Sequence, residues 1–308
     1  MPKAIDFAEF GSPDVLRLQD LDAPQPGPGQ VRIAVRIAGV NALDSKIRSG
    51  SMNQIFPVTL PHVPGVEASG VVDALGEGVE GPAVGDAVFG PTDTGSYAEF
   101  ALADAAKVAR KPDSVTWEQA AALPVAAETS YRALELLDLK PGETLLVHAA
   151  AGAVGGVAVQ VAVARGLTVI GTASEANHDH LRALGAIPVT YGDGLVDRVR
   201  AVAPQGVDAA LDAAGRGGAV AASVELTGGT DRVVSIADAV GAAKQGVRFT
   251  SGGPGQYRGG PAFEEALALL AAGKLDLPVH RVLPLAEAAE AHRLSEAGHL
   301  SGKLLLTV

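Results

Sequence analysis

The sequence predicts an α/β protein: a doubly wound parallel sheet of alternating strands and helices, joined to a second, β-rich domain. Three observations predict it. Short alternating segments separated by Gly and Pro clusters fill the N-terminal part, as antiparallel strands do. From Glu143 onward, apolar runs of strand length alternate with helical segments, the order that builds a parallel sheet. The first of those runs ends in a small-residue turn, HAAAGAVGG, that leads into a helix. With 308 residues, 47% apolar and 19% charged, the chain is long and apolar enough for two separate cores.

In order, KAIDFAEF, VLRLQDL and QVRIAVRIAGV alternate between Gly-Ser-Pro-Asp and the cluster PQPGPGQ, and read as strands. Glycine-bounded runs at EASGVVDALG, GDAVFG and GSYAEFALA extend the β-rich domain, with no amphipathic helix evident among them. After Pro112 the pattern changes. SVTWEQAAAL and AETSYRALELL read as two helices, the first capped by Ser114 or Thr116, the second closed by Lys140-Pro141-Gly142. Then come strand TLLVHA, a helix, strand LTVIGTA, helix EANHDHLRALG, strand IPVTY, helix LVDRVRAV, strand VDAALDAA, a helical piece from Gly217, and strands DRVVSIA and GVRFTS. GGPGQYRGG is a loop and PAFEEALALLAAG a helix; PVHRVLPL, helix AEAAEAHRLSEAG and strand KLLLTV close the chain. That ending is too short for its own core and is expected to return to the first domain. The expected boundaries are 1–124 with 253–308 for the β-rich domain, and 125–252 for the parallel sheet.

The net charge of −11, with Lys and Arg scattered, argues against a nucleic-acid face, which needs clustered cations. No apolar run is long enough to span a bilayer, and MPKAIDFAEF lacks the layout of a signal peptide, so a cytoplasmic protein without a membrane partner is expected. Cysteine is absent. That removes disulfides, a catalytic thiol and every thiolate-ligated metal site.

The turn within residues 145–166 has the form A-x-x-G-x-x-G, with Ala149, Gly152 and Gly155. Small residues there let the backbone approach a pyrophosphate, which free amides and the helix dipole attract. Ala153 and Val154 open the helix and would supply those amides. The same spacing also serves close packing of an alanine-rich helix on a sheet, so the turn alone leaves both readings open.

In chain order, AGVNALDSKIRSG, PGVEASGVV, VGDAVFG, GSYAEF, ETSYRAL, HAAAGAVG, VIGTAS, LRALGA, VDAALDAAG and PLAEAAEAHRLSEAGHLSGKLLLTV resemble the medium-chain dehydrogenase/reductases, in the zinc-independent, quinone oxidoreductase-like (zeta-crystallin-like) branch. The resemblance implies a Rossmann dinucleotide-binding domain and a GroES-like catalytic domain. Zinc-dependent members place a cysteine where this chain has AGVNALD and a histidine where it has Val66, between Gly65 and Glu67. No catalytic zinc is therefore expected, and without a Lewis acid the acceptor must already be electrophilic. A quinone or an α,β-unsaturated carbonyl fits; the alternatives are a biosynthetic enoyl thioester reductase and a non-catalytic NADPH-binding protein. Relatives commonly dimerise by pairing sixth strands, so a homodimer through VRFTS is expected.

Sheets of this kind that bind NAD usually end their second strand in Asp or Glu, which would repel a 2′-phosphate. Thr172-Ala173-Ser174 stands there instead, and NADPH is the expected cofactor. Ser174 would donate to the phosphate, or it only caps a helix; Asn177 and His178 could add donors. Glu175 is an awkward neighbour for a phosphate, and no Lys or Arg adjoins Ser174. The resemblance adds Tyr191 at the ribose phosphate, and Thr129, Ile236, Ser251 and Gly252 against the nicotinamide. The last three follow strands, at the carboxyl edge where such sheets bind ligands. Thr129 otherwise reads as a helix-start hydroxyl.

Hydride reduction of an enone or quinone moves negative charge onto the acceptor oxygen, which must be stabilised or protonated. The segment GVNALDSKIRSG offers Asn41, Asp44 and Lys46 as catalytic candidates. The resemblance sends Asn41 to the nicotinamide pocket. Lys46 is either the electrostatic stabiliser or a solvated lysine beside a turn; Asp44 reads more as a partner for local backbone or Arg48 than as a base. His178 and His180 lie two apart on one helix, hence on different faces, and His292 and His299 have no carboxylate pattern nearby, so no metal site is expected. Tyr97 and Tyr257 either line an acceptor pocket or simply pack. Lys303 reaches a phosphate or a carboxylate, and the sequence leaves that open.

Overall fold

The computed structural model describes residues 1–253, 255–298 and 300–308; Pro254 of the glycine-rich loop and His299 lie outside the described residues. The chain divides into two compact units, Met1–Val125 with Leu277–Val308, and Ala126–Asp276. Residues 253–276, expected to return with the β-rich domain, thus belong to the second unit. Packing within that unit explains the difference: Arg165 grips Glu265 (2.9 and 2.6 Å), and Asp276 donates its N–H to Gln160 Oε1 at 2.6 Å.

The first unit begins with strands β1 (Lys3–Asp6) and β2 (Arg17–Asp20), an antiparallel pair. The long strand β3 (Gln30–Val40) buries Val31, Ile33 and Val35 on one face and turns Arg32 and Arg36 away, the two-residue period of a half-buried strand. A short helix α1 (Ala42–Arg48), not foreseen from periodicity, follows directly. Asp44 at its third position reaches back to accept the Asn41 N–H at 2.8 Å, half of a capping box and the local reason a helix starts there. Strands β4 (Glu67–Leu75), β5 (Ala87–Pro91), β6 (Phe100–Asp104) and β7 (Ala109–Arg110) continue the antiparallel sheet.

The two helices expected after Pro112 are one, α2 (Trp117–Leu136), with Pro124 inside it. Proline breaks the helical hydrogen-bond ladder. Here the N–H of Val125 is taken up instead by Glu67 Oε2 on β4 at 2.7 Å, so the helix continues across the interruption.

The second unit contains strands β8 (Thr144–His148), β9 (Thr168–Ala173), β10 (Ile187–Thr190), β11 (Ala209–Asp212), β12 (Val233–Ser235) and β13 (Arg248–Phe249). Between them run helices α3 (Ala153–Ala164), α4 (His178–Ala183), α5 (Leu195–Val202), α6 (Ala219–Thr227) and α7 (Ala239–Gln245), and α8 (Gly259–Ala271) follows β13. The order β10-β9-β8-β11-β12-β13, parallel throughout, is that of a doubly wound dinucleotide fold. Its strands read as continuous apolar runs because both faces are covered, as Leu146, Ile170, Val189, Ala210 and Val233 in one buried cluster illustrate. All strand ends that follow the direction of the chain fall on one edge.

The chain then closes the first unit with β14 (Val279–Pro284), α9 (Ala288–Ala297) and β15 (Lys303–Thr307). Strand β15 pairs with β3 and extends the sheet to β14-β15-β3-β4-β5-β7, with β6 also on β3.

Candidate active site

The second unit supplies the nucleotide side. The turn after β8 sets Ala149 at φ 54°, a left-handed conformation, where a glycine is more usual. Gly152 caps α3, and a Cβ there would meet only the Ala149 carbonyl oxygen, at 3.4 Å. Gly155 has no such room: a Cβ would lie 2.9 Å from both the Ala149 carbonyl carbon and Ala150 Cα. The two glycines therefore do different things, Gly155 allowing the helix to sit on the turn and Gly152 keeping the approach to the helix start clear. Ala153 and Val154, partly exposed, carry first-turn amides that no intrahelical carbonyl can accept. This is a cradle that fits a pyrophosphate.

Buried polar groups hold that turn in place. Burial depresses the His148 imidazole to about 4, so the ring is neutral at ordinary pH. The Thr172 hydroxyl accepts the Ala149 N–H at 3.3 Å and lies 3.5 Å from His148 Nδ1, while His148 Nε2 is 3.0 Å from Ser223 Oγ. On the neighbouring strands, Asp212 accepts from Ala214 and Gly215 amides and from Ser235 Oγ.

At the ends of β9 and β10, two of the residues named for the 2′-phosphate bond to each other and a third to Thr190. Asn177 Nδ2 donates to Ser174 Oγ at 3.3 Å, and His178 Nε2 lies 3.4 Å from Thr190 Oγ1. Tyr191 is exposed, just past β10. One residue was missed: Arg198 on α5 donates to the carbonyls of Thr190, Tyr191, Gly192 and Asp193 at 2.7–3.3 Å. Only tertiary structure brings it there; LVDRVRAV alone marks it as one more helix-surface arginine.

Thr129 lies in the middle of α2, not at a helix start. Its Oγ1 is 3.5 Å from Arg132 Nη2, and Arg132 is itself buried in an ion pair with Glu128 and bonded to the Thr250 hydroxyl. A Cβ on Gly252 would come within 3.3 Å of the same guanidinium. Arg132 thus gathers Thr129, Thr250 and Gly252, leaving Ser251 between them half-buried. Ile236, also half-buried, is fixed by its N–H to the Asp212 carbonyl at 3.0 Å.

The first unit carries the catalytic candidates. Asn41 uses both ends of its amide: Nδ2 donates to Glu67 Oε1 at 2.8 Å, and Oδ1 accepts from Lys303 Nζ at 2.6 Å. Lys303 Nζ also pairs with Glu67, so the lysine reaches a carboxylate within its own unit. The ammonium and carboxylate are 3% and 0% exposed.

Asp44 is buried, accepting from the Asn41 N–H and, at 3.3 Å, from the Tyr97 hydroxyl. Desolvation raises it to about 7. Tyr97 is wholly buried and bridges to His292 Nε2 at 3.2 Å, so it belongs to the core rather than to an open pocket. Burial and the nearby Arg48 charge depress His292 to about 3. Arg48 pairs with Glu296 on α9, not with Asp44. These contacts make Asp44 a residue that holds the start of α1; Lys46, two positions on, is half-buried. Among the described residues no three of His, Asp and Glu converge as a metal site.

Residues 27–113 match the family model described as "Alcohol dehydrogenase GroES-like domain", and residues 184–306 the one described as "Zinc-binding dehydrogenase". The quinone oxidoreductase structure from Coxiella burnetii is 33% identical, covers 100% of this chain and 99% of its own, and superposes with a TM-score of 0.87. Mycobacterial Rv1454c complexed with NADPH is 31% identical over 100% of both chains, at 0.88. The CurK enoyl reductase is 27% identical, covers 99% of each chain, and reaches 0.85. Among curated relatives, the pikromycin polyketide synthase component PikAII of Streptomyces venezuelae is 41% identical over 310 residues, 93% of this chain but 8% of that protein. Human quinone oxidoreductase is 41% identical over 174 residues, 56% of this chain and 52% of the relative. The chain therefore spans a small part of the first and about half of the second.

Proposed function

Because the chain belongs to the zinc-independent, quinone oxidoreductase-like medium-chain dehydrogenase/reductases, we propose that it transfers hydride from NADPH to a quinone or an α,β-unsaturated carbonyl without a metal ion. The observation that carries this reading is the cradle from Ala149 to Gly155 with Ser174, not an acid, at the end of the second strand. The likeness to a protein complexed with NADPH supports the same cofactor.

Each residue then has a task. The amides of Ala153 and Val154 donate to the pyrophosphate, with Ala149 and Gly152 leaving room for it. Ser174, Asn177, His178 and Tyr191 meet the adenosine 2′-phosphate and ribose. Thr129, Ile236, Ser251 and Gly252 line the nicotinamide. NADPH supplies the hydride. Lys46 presents its ammonium to the acceptor oxygen as negative charge develops there, and a proton from that ammonium, replaced from water, completes the reduction. Asn41, held by Glu67 and Lys303, lies in the segment AGVNALD, where zinc-dependent members place a cysteine. Asp44 keeps the α1 start in register beneath it.

The test is NADPH consumption with a panel of benzoquinone-type and enone acceptors. If no acceptor of either class supports oxidation by protein saturated with cofactor, the reading is wrong; tight NADPH binding without turnover would make this a binding protein. Likeness to the CurK enoyl reductase favours a second reading, reduction of an enoyl thioester. Faster turnover of a thioester than of the matching free enone would select it. We further propose a homodimer through the outer edge of β13, the last strand of its sheet; a monomer mass in light scattering at micromolar concentration would contradict that.

A further inference from the structure

A dinucleotide site that accepts a 2′-phosphate needs positive charge near the end of its second strand, and no cation stands next to Ser174 in the sequence. Arg198 stands there in the fold. Its Nε donates to the Thr190 carbonyl at 3.0 Å, and Thr190 pairs with Ala173, the residue before Ser174, across β10 and β9. His178, on the helix after Ser174, reaches the same Thr190 through its hydroxyl. The guanidinium thus sits on the carbonyls of Thr190 to Asp193, just past the strand that neighbours the one ending before Ser174.

Its charge is also unspent. Nearby, Arg182 is paired with Asp179 at 2.6 Å and Arg200 with Glu225 at 2.9 Å. Arg198 instead is held by four backbone carbonyls, and among the described residues it forms no ion pair. Asp193 and Asp197, its acidic neighbours in sequence, are exposed and do not pair with it. Carbonyl oxygens orient a guanidinium without cancelling its charge. Of its five N–H groups, Nε uses one, Nη1 one and Nη2 two, which leaves one Nη1 hydrogen and a whole positive charge.

We propose that Arg198 is the residue that makes this site select the 2′-phosphorylated cofactor, supplying the counter-charge that Glu175 opposes and that Ser174 and Asn177, as uncharged donors, do not provide. The proposal rests on the NADPH reading above, and the experiment separates the two. NADPH and NADH are titrated against the wild type, Arg198→Gln and Arg198→Lys by calorimetry, each at low and high salt, with thermal melts of all three proteins. A charged hydrogen bond of this kind makes Arg198→Gln bind NADPH about 10- to 100-fold more weakly. NADH affinity stays within about twofold, Arg198→Lys retains most of the NADPH preference, and the salt dependence of NADPH binding flattens in Arg198→Gln. Equal loss of both nucleotides, or no loss of either, overturns the proposal, the first because Arg198 would then only brace the turn at residues 190–193. A wild type that does not prefer NADPH overturns the cofactor reading itself, whatever Arg198 does.

Discussion

Replacing Lys303 by Met probes the buried core of the first unit. The ammonium of Lys303 is in contact with Glu67, and the pair is bonded further to Asn41 and to the Val125 N–H. Removing one partner of a buried ion pair typically costs about 3–5 kcal/mol, because the other charge is left without compensation. Two neutral donors, Asn41 Nδ2 and the Val125 N–H, would still serve Glu67. The loss should therefore lie toward the lower end, about 3 kcal/mol. Neutralising both partners, in Lys303→Met with Glu67→Gln, should cost less than the sum of the single changes by at least about 1 kcal/mol, as expected of directly coupled residues. Urea unfolding followed by tryptophan fluorescence reads this well, since the single tryptophan, Trp117, lies in the same unit with its carbonyl accepting from Ser69 Oγ. With a slope of about 1–3 kcal/mol per molar, the midpoint of Lys303→Met falls by at least about 1 M. A midpoint within about 0.2 M of the wild type, or strictly additive effects in the double variant, would refute the idea that this pair organises the site.

Other outcomes follow from the two units separately. Gly155→Ala places a Cβ 2.9 Å from Ala150 Cα and should abolish nucleotide binding in calorimetry and lower the melting temperature, whereas Ala149→Gly, which relieves a left-handed alanine, should bind normally and change stability by less than about 1 kcal/mol. Asp44 titrates near 7 when folded and near its ordinary 3.8 when unfolded, so the folded state keeps a proton that the unfolded chain releases, and the stability this carries is lost as pH rises toward 7. Asp44→Asn should therefore gain on the order of 2 kcal/mol relative to wild type between about pH 5 and pH 8. His292, depressed to about 3, stays neutral across that window, and a difference between the two proteins that does not change with pH would count against the buried carboxyl as its source.

Much of the second unit was legible because its physics is local. Strands covered on both faces show as apolar runs, the turn from Ala149 to Gly155 is contiguous, and Ser174 stands at a fixed distance beyond a recognisable strand. What escaped depends on contacts between remote segments. Glu67 and Lys303 are 236 residues apart, and neither carries a pattern that announces the other. Helix α2 passes Pro124 because Glu67 supplies an acceptor from another strand, which no reading of the helix itself can include. Arg198 and Arg132 look like ordinary helix cations until folding sets one on the carbonyls after β10 and the other beside Thr129. Helix α1 was missed for a different reason: at seven residues it is too short to show a helical period, and only its N-x-x-D start at Asn41 and Asp44 marks it.

The most direct measurement is enone reduction by protein dialysed against a strong chelator, using NADPH deuterated at the transferring position. Metal-independent hydride transfer predicts unchanged turnover and deuterium on the β-carbon of the product. Turnover lost on chelation and restored by zinc, or product carrying only solvent hydrogen at that carbon, would contradict it.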